Sequence, residues 1–325
     1  MVYKAGEAIT ASPSQVGRCI KIFINFLNFD RIVFIILTKF RKNMPQLSII
    51  IPLFNSCNFI SRALQSCINQ TLKDIEILII DDKSKDNSLN MVLEFAKKDP
   101  RIKIFQNEEN LGTFASRNFG VLHSSSDFIM FLDSDDFLTL DACEIAFKEM
   151  KKGFDLLCFD AFVHRVKTKQ FYRFKQDEVF NQKEFLEFLS KQRHFCWSVW
   201  AKCFRRDIIL KSFEKVKIDE CLSYGEDVLF CYVYFMFCEK IAVFKTCIYH
   251  YEFNPNGRYE NKNKEILNQN YHDKKKSNEI IRNLSNDFKY EEFNKKILEN
   301  LEKDIDALKS RINFYPSSLQ SFINF

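Results

Sequence analysis

The chain has 325 residues, of which 46% are hydrophobic and 28% charged, so it can bury a sizeable core and is not intrinsically disordered. The formal net charge of +5, from 48 Lys and Arg against 43 Asp and Glu, does not by itself indicate a nucleic-acid-binding protein. The 11 cysteines include no Cys-x-x-Cys pair, which favours buried thiols in a reduced cytoplasmic chain over a zinc site or a disulfide scaffold.

Residues 1–43 differ from the rest of the chain. The stretch Ile20–Leu37 is apolar but contains three charged residues, and its run Ile32–Thr38 is far shorter than the ~20 residues of a membrane-spanning helix. No small-residue cleavage site follows it, so the pattern is not that of a signal peptide. We predict that Met44 is the natural start, and that residues 1–43 are an N-terminal extension or a membrane-surface segment.

The next hundred residues alternate between apolar runs and amphipathic segments. Four short apolar runs have the pattern of buried parallel strands: Leu47–Ile51, Ile75–Ile80, Ile102–Phe105 and Phe128–Leu132. Amphipathic helix patterns separate them, the last of these at Thr113–Leu122. This alternation predicts βαβ units, a parallel sheet and right-handed crossovers, and therefore an α/β protein.

The alternation becomes irregular after about residue 145. Strand patterns occur at Phe154–Phe162 and Ile248–Phe253, and helix patterns occur at Lys183–Leu189 and Asp227–Phe237. From Asn261 onward the chain is polar, yet apolar residues recur at spacings of three and four: Phe293, Ile297, Leu301, Ile305, Leu308 and Ile312. This spacing predicts a long amphipathic helix that docks on the chain, forms a homodimer or lies on a membrane surface.

Acidic residues follow the predicted strands. The second strand ends in Asp81-Asp82 and the fourth in Asp133-Ser134-Asp135-Asp136, and ligands of open parallel sheets bind at such carboxyl ends. Carboxylates gathered at one edge repel one another, and a hard divalent cation relieves that repulsion. Helix capping is a sufficient explanation for Asp86 but not for a whole cluster. The sequence therefore predicts a metal site at residues 133–136.

The sequence contains neither a Gly-x-Gly-x-x-Gly motif after the first strand nor a Walker motif, which argues against a dinucleotide dehydrogenase and a P-loop enzyme. A nucleotide held with a metal on its phosphates is the remaining interpretation. Phe54 is then expected to pack on the base and Asp82 to accept a hydrogen bond from the base or ribose. Arg117 is expected to reach a phosphate, unless it is a surface residue of its helix.

Six segments together resemble glycosyltransferase family 2: LSIIIPLFN, IEILIIDDKSKDNS, NEENLGTFASRNFGV, FIMFLDSDDFL, WAKCFRRDIIL and GEDVLF. They occur in the usual order and cover about residues 46–255. The resemblance implies a GT-A fold, in which helices flank a Rossmann-like parallel or mixed sheet, with a helical C-terminal extension here. The segments SCINQTLKDIEILIIDD, EDVL and IYHY are similar to bacterial lipooligosaccharide β-1,3-galactosyltransferases.

The resemblance also implies site residues. Contacts to a UDP-sugar fall at Pro52, Phe54, Asn55, Asp82, Ser84, Arg117 and Asp133. A Mn²⁺ or Mg²⁺ ion falls on Asp133, Asp135 and His250. Asp227 matches the base that deprotonates the acceptor, and Glu226 is its rival. Phe54 replaces the commoner Tyr and keeps a stacking face, and the absence of a QxxRW motif favours the addition of one sugar per encounter.

Several of these residues also have structural interpretations. Glu226 and Asp227 suit the N-terminus of a helix, where acidic side chains are stabilising. Trp197 and Trp200 suit either a sugar-binding platform or a core, and His250 suits either a metal or an aromatic packing site. The run Lys274–Lys276 is expected to be a solvated face, or a contact to anionic lipid.

The predicted function is the inverting transfer of galactose, in β-1,3 linkage, from a UDP-sugar to a glycan or lipid-linked oligosaccharide in lipooligosaccharide or surface polysaccharide synthesis. Alternatives are a UDP-GlcNAc or UDP-glucose donor for capsule or O-antigen, a non-catalytic nucleotide-sugar-binding protein, and a glycosidase. The predicted location is the cytoplasm, with peripheral contact to the inner membrane. We divide the chain into an extension (1–43), a nucleotide-sugar-binding half (44–145), an acceptor-binding and catalytic half (146–258) and a helical tail (259–325).

Overall fold

The computed structural model describes residues 44–164, 174–192, 197–216, 222–255, 257–258 and 262–314, together with the backbone of residues 2–4 and 168–171. The predicted extension, residues 1–43, therefore lies outside the described residues except for one three-residue strand.

The described strands are β1 (Val2–Lys4), β2 (Leu47–Leu53), β3 (Ile75–Asp81), β4 (Ile102–Gln106), β5 (Phe128–Phe131), β6 (Phe137–Leu138), β7 (Leu156–His164), β8 (Thr168–Phe171), β9 (Glu178–Asn181), β10 (Lys202–Arg205) and β11 (Lys240–Glu252). The described helices are α1 (Ile60–Ile68), α2 (Ser88–Ala96), α3 (Gly112–His123), α4 (Ala142–Met150), α5 (Gln182–Lys191), α6 (Arg206–Lys215), α7 (Glu226–Phe235), α8 (Lys264–Ser285) and α9 (Glu291–Phe314).

These strands form one mixed sheet in the order β1-β4-β3-β2-β5-β10-β7-β11-β6, with β8 paired to β7 and β9 paired to β11. The pairs β2–β3, β3–β4 and β2–β5 are all parallel, as the alternating sequence pattern predicts. Strand β10 then lies antiparallel between β5 and β7. The second half of the sheet is therefore mixed, and the expected α/β fold with flanking helices is confirmed.

Both faces of the sheet are covered by helices, which is why the central strands β2 and β3 are mainly apolar and nearly all of their side chains are buried. Successive residues of β2 point to opposite faces: Ile49 and Ile51 join one hydrophobic cluster, with α1, and Ile50 joins the other, with α7. This two-sided core fixes the strand ends, and with them the loops that carry the acidic residues.

The C-terminal tail forms a hairpin of two helices, α8 and α9. The apolar face of α9 packs within the chain, because Phe293, Ile297 and Leu301 belong to the same core cluster as α7. Of the three arrangements that the sequence allows, the structure shows docking of this helix on the rest of the chain. None of the helices in the described ranges is both long enough and apolar enough to cross a lipid bilayer.

Candidate functional site

A cleft of about 1590 Å³ opens at the carboxyl ends of β2, β3 and β5. Nine of the residues predicted from the sequence line it: Pro52, Phe54, Asn55, Asp82, Arg117, Asp133, Asp135, Glu226 and Asp227. Two others, Ser84 and His250, are not among the residues that line it. The fold thus brings together side chains that lie up to 175 positions apart in the sequence, from Pro52 to Asp227.

Asp82 mainly holds the loop that leads into α3. Its Oδ1 accepts hydrogen bonds from the backbone of Leu111 and the side chain of Asn107, each at 2.8 Å, and its Oδ2 accepts one from the backbone of Gly112 at 2.8 Å. Gly112 has φ +85°, in the left-handed region that glycine adopts readily. A carboxylate can accept about four hydrogen bonds, so Asp82 keeps capacity for one more.

The loop after β2 presents Phe54 to the cleft, with 45% of the residue exposed. The next residue, Asn55, has φ +48°, and its Oδ1 accepts from the backbone of Lys85 at 2.8 Å. The backbone of Asn55 donates to Oγ of Ser84 at 3.1 Å. Ser84 therefore ties two loops together beside the cleft instead of lining it.

The acidic residues of the loop after β5 have different roles. Asp136 is 1% exposed, and its two oxygens accept from the hydroxyl of Tyr249 and the backbone of Glu252, both at 2.7 Å. Burial raises the pKa of Asp136 well above its ordinary value, and Asp133 and Asp135 add to this effect. Asp136 is thus a structural residue that fastens β11 to the loop.

Asp133 and Asp135, in contrast, line the cleft. Oδ2 of Asp135 accepts from the side chain of Asn254 at 3.0 Å, and burial followed by the charge of Asp133 raises the pKa of Asp135. A cation at this edge of the sheet would relieve that repulsion.

These two carboxylates fit a divalent cation that takes its other ligands from elsewhere. Within the described part of the chain, no group of three or more His, Cys, Asp or Glu side chains is arranged to hold a metal ion. Mg²⁺ is typically bound by one or two carboxylates together with substrate phosphates and water, which is what Asp133 and Asp135 can offer. The residues present therefore suit an ion that binds with a diphosphate.

Arg117 lines the cleft and is 4% exposed. Its Nη2 donates to Oδ1 of Asp133 at 2.7 Å, and its Nη1 donates to Asp227 at 2.5 Å and to Glu226 at 3.3 Å. Burial lowers the pKa of Arg117, but Asp227, Asp133 and Glu226 outweigh that effect and hold the pKa above its usual range. Arg117 is therefore not a surface residue of α3, since it links the acidic loop to α7.

Glu226 and Asp227 form the first turn of α7. This helix starts after Gly225, whose φ of +81° and missing side chain leave the N-terminus without a side-chain cap. Burial, reinforced by the charge of Asp227, raises the pKa of Glu226 to about 7. Burial also raises the pKa of Asp227 against the opposing effect of Arg117. Both carboxylates are directed to Arg117, so they are more than favourable charges at a helix terminus.

The two tryptophans border the same cleft. Trp200 stacks with Tyr249 and Tyr251 at centroid distances of 4.9 and 5.5 Å. Trp197 packs at 6.0 Å against Phe235, a residue of the core cluster. Each indole is thus held by aromatic neighbours and also reaches the cleft, so the two interpretations of these residues are compatible.

His250 lies in an aromatic stack and is not among the residues that line the cleft. Its ring stacks on Phe137 at 4.2 Å and on Phe162 at 4.7 Å, and its Nδ1 is 2.8 Å from Nε2 of His164. Burial, followed by the electrostatic effects of His164 and Arg62, lowers the pKa of His250 to about 4. The structure thus gives His250 the packed, hydrogen-bonded arrangement, and we do not carry it forward as a metal ligand.

The sequence did not reveal that the C-terminal hairpin walls one end of the cleft. Lys274 of α8 and Asp304 of α9 line it, as does Arg258 shortly before α8, and Lys274 is only 8% exposed although a solvated face was expected. The signal was the helical spacing of the buried positions on α8, but Asn270 and Ser277 are polar members of that face and obscure the pattern.

Comparison with known proteins gives a consistent result. The sequence profile of Glycosyl transferase family 2 matches residues 48–212. A Haemophilus influenzae protein named as an uncharacterized glycosyltransferase is 41% identical over 102 residues, which are 31% of this chain and 41% of that protein. The cholesterol galactosyltransferase of Borreliella burgdorferi is 28% identical over 216 residues, which are 63% of this chain and 59% of that protein.

Among solved structures, S. aureus TarS 1–349 in complex with UDP-GlcNAc has a similar fold. The TM-score is 0.59 at 20% sequence identity, and the match covers 72% of this chain and 66% of that one. The chain spans 41 to 64% of the length of the curated relatives that match it first.

Proposed function

Because the chain belongs to glycosyl transferase family 2, we propose that it is an inverting glycosyltransferase that moves a sugar from a UDP-sugar to an acceptor hydroxyl. One observation carries this proposal: a single buried guanidinium, that of Arg117, joins the acidic loop at Asp133 to the carboxylate of Asp227 within one cleft. A donor site and a base site are thereby held next to each other, as a direct transfer requires.

The donor end of the cleft suits a nucleoside diphosphate. The exposed ring of Phe54 offers a face for the base, and Asp82 keeps one acceptor position for the nucleoside. Asp133 and Asp135 would hold a Mn²⁺ or Mg²⁺ ion, which when bound stabilises the negative charge that develops on the departing diphosphate. The described contacts favour these residues for the nucleotide, whereas Oγ of Ser84 accepts from the neighbouring loop, and its contact with the nucleotide stays a prediction.

The acceptor hydroxyl must lose a proton as it attacks, and a carboxylate within hydrogen-bonding distance can take it. We assign this role to Asp227 in preference to Glu226, because 24% of the Asp227 side chain is exposed against 10% for Glu226. Arg117 and the backbone of Val199, which donates to Oδ2 at 3.3 Å, fix the direction of the Asp227 carboxylate. Attack opposite the leaving diphosphate inverts the anomeric centre, so an α-linked donor gives a β-linked product.

Galactose is the sugar that we propose, in β-1,3 linkage to a glycan or lipid-linked oligosaccharide. The support is a sequence similarity to lipooligosaccharide galactosyltransferases, together with the relative named as a cholesterol galactosyltransferase.

Trp197 and Trp200 supply apolar faces for the acceptor sugar at the same cleft. Cys57, Cys67, Cys143, Cys203 and Cys238 are free thiols, which suits a reducing cytoplasm. The apolar face of α9 is buried within the chain, so we propose neither a dimer nor a membrane contact through it.

The test is a thermal-shift panel with UDP-galactose, UDP-GlcNAc, UDP-glucose and a GDP-sugar, each with Mn²⁺ and with EDTA, followed by turnover assays on a galactose-, glucose- and GlcNAc-terminated acceptor set. We expect UDP-sugars to stabilise the chain in a metal-dependent way and UDP-galactose to give turnover. Turnover with UDP-GlcNAc or UDP-glucose alone would overturn the galactose assignment and keep the reaction class. The absence of both stabilisation and turnover with every UDP-sugar would overturn the proposed reaction.

A further inference from the structure

The turn that precedes the proposed base has no cap of its own. Gly225 adopts φ +81° and carries no side chain, so nothing within α7 fixes the direction in which its first turn begins. The position of the Asp227 carboxylate depends on this turn, because Asp227 is the second residue of the helix. Other elements must therefore hold residues 222–225 in place.

Helix α3 contacts this turn from one side. The backbone of Phe114 donates to the carbonyl of Leu222 at 3.2 Å. Phe114 lies three positions before Arg117, on the same face of α3, so the helix that supplies the guanidinium also holds the start of the turn.

Helix α8 contacts the turn from the other side through two consecutive residues. Asp273 is 3% exposed, and its Oδ2 accepts from the backbone of Ser223 at 3.1 Å. Oδ1 of the same carboxylate accepts from Gln269 at 2.6 Å, and Arg258 lies 3.5 Å from Oδ2. A buried carboxylate with these partners has one fixed orientation, which fixes the backbone of Ser223.

Lys274 packs directly on Gly225. A Cβ atom added to Gly225 would lie 3.2 Å from Cδ and 3.5 Å from Cα of Lys274, so the lysine stem closes over the place where a side chain would be. The ammonium group is held by Asp304 at 2.7 Å and lies 5.6 Å from the ring centre of Tyr224. The stem therefore makes the contact with Gly225, and the ammonium group adds a cation–π contact with Tyr224 of the same turn.

We propose that Asp273 and Lys274 of α8 are positioning residues for Asp227: they clamp residues 223–225 against α3 and thereby aim the carboxylate of the proposed base. This inference rests on the proposed function. The C-terminal hairpin then contributes to catalysis through the position of Asp227. Even a misplacement of about 1 Å in a reacting group can lower a rate by about a hundredfold.

The test compares kinetic constants of the full chain with matched substitutions. Asp273→Ala should lower kcat about tenfold or more while the donor KM stays within about twofold, because the donor end is not touched. Asp273→Asn should restore most of kcat, because the amide oxygen still accepts from Ser223. Lys274→Ala should lower kcat similarly, and Lys274→Met should restore it, because methionine keeps an unbranched stem over Gly225.

Arg282→Ala is the matched control. It breaks an ion pair to Glu302 at 2.6 Å between the same two helices, away from the turn, and should leave kcat unchanged. A wild-type-like kcat in both Asp273→Ala and Lys274→Ala overturns this inference but not the proposed function. An equal loss of kcat in the Arg282→Ala control has the same consequence. If Asp273→Ala does not fold, the comparison of Lys274→Ala with Lys274→Met decides in the same way. A wild-type chain without turnover overturns the proposed function itself.

Discussion

Arg117 and Asp227 lie 110 positions apart in the sequence, and Nη1 of the arginine donates to Oδ1 of the aspartate at 2.5 Å. The arginine is 4% exposed, so this contact is made away from bulk water. Because the same guanidinium also binds Asp133, the two ends of the cleft share one cation. Arg117 is therefore expected to stabilise the folded chain and also to position the groups of the proposed reaction.

Replacement of Arg117 by Gln should destabilise the chain and abolish transfer. The substitution leaves Asp133, Glu226 and Asp227 without their shared cation, and removing one partner of a buried ion pair costs about 3–5 kcal/mol. Urea unfolding measures this change in the free energy of unfolding, and an unchanged value would contradict the buried linkage. Arg282→Gln is the control, because Arg282 pairs with Glu302 at the surface, with 53% and 57% of the two side chains exposed, and neither residue lines the cleft. That control should lose about 1 kcal/mol and keep its activity.

Asp135→Asn should change the response to metal, and Asp136→Asn should change the free energy of unfolding, although the two residues are adjacent. Asp135 faces the cleft, so its substitution should weaken Mn²⁺-dependent stabilisation by UDP and leave the free energy of unfolding of the ligand-free chain nearly unchanged. Asp136 accepts two internal hydrogen bonds, and an Asn amide can satisfy only one of them with its oxygen. Asp136→Asn should therefore cost about 1–3 kcal/mol. Metal titrations and urea unfolding separate the two cases, and a loss of metal response in Asp136→Asn alone would reverse the assignment.

The fold was predictable where single segments carry the signal. The four parallel strands, with the acidic residues at their carboxyl ends, follow from short and mainly apolar runs, because a strand covered on both faces buries most of its side chains. Strand β10 was missed because it has only four residues and includes Lys202 and Arg205. Helix α8 was expected only as an undivided part of the helical tail at 259–325, because its buried face includes Asn270 and Ser277 and its hydrophobic period is therefore weak.

The site was predictable in its membership but not in its contacts. The family motifs placed Asp133, Arg117 and Asp227 in one cleft, yet no local pattern could show that the arginine binds both aspartates. The same limit applies to His250, whose partner His164 lies 86 positions away on a parallel strand. Contacts between distant segments depend on strand order and register, which periodicity does not specify.

Asp227→Asn should lower kcat about a hundredfold or more and leave donor binding intact. The amide cannot accept the proton of the acceptor hydroxyl, and general-base catalysis contributes about 10²–10⁴ to a rate. Thermal shift with UDP-galactose and Mn²⁺ checks that the donor still binds. Glu226→Gln is the matched comparison and should lose less, because Glu226 is the less exposed of the two carboxylates. The reverse order of losses would assign the base to Glu226.

The stability of the chain should fall as the pH falls from about 6.5 to about 4, and His250 should be one cause. The pKa of His250 is lowered in the folded chain from 6.5 to about 4, so in this range the unfolded state binds more protons than the folded state. The His250→Phe variant has no imidazole to titrate, so its free energy of unfolding should depend less on pH in that range. The difference cannot exceed about 1.4 kcal/mol per pH unit, and partial exposure of the ring reduces it. Urea unfolding at several pH values measures it, and equal slopes for the two proteins would contradict the lowered pKa of His250.

The same variant tests the placement of His250 outside the metal site. Phe keeps the stack with Phe137 and Phe162 but offers no nitrogen to a metal ion. Because the ring does not line the cleft, the Mn²⁺ concentration that gives half-maximal turnover should be the same in His250→Phe as in the wild type. An increase of more than about tenfold, the size of change that loss of a metal-site contact produces, would return His250 to the metal shell that the sequence implied.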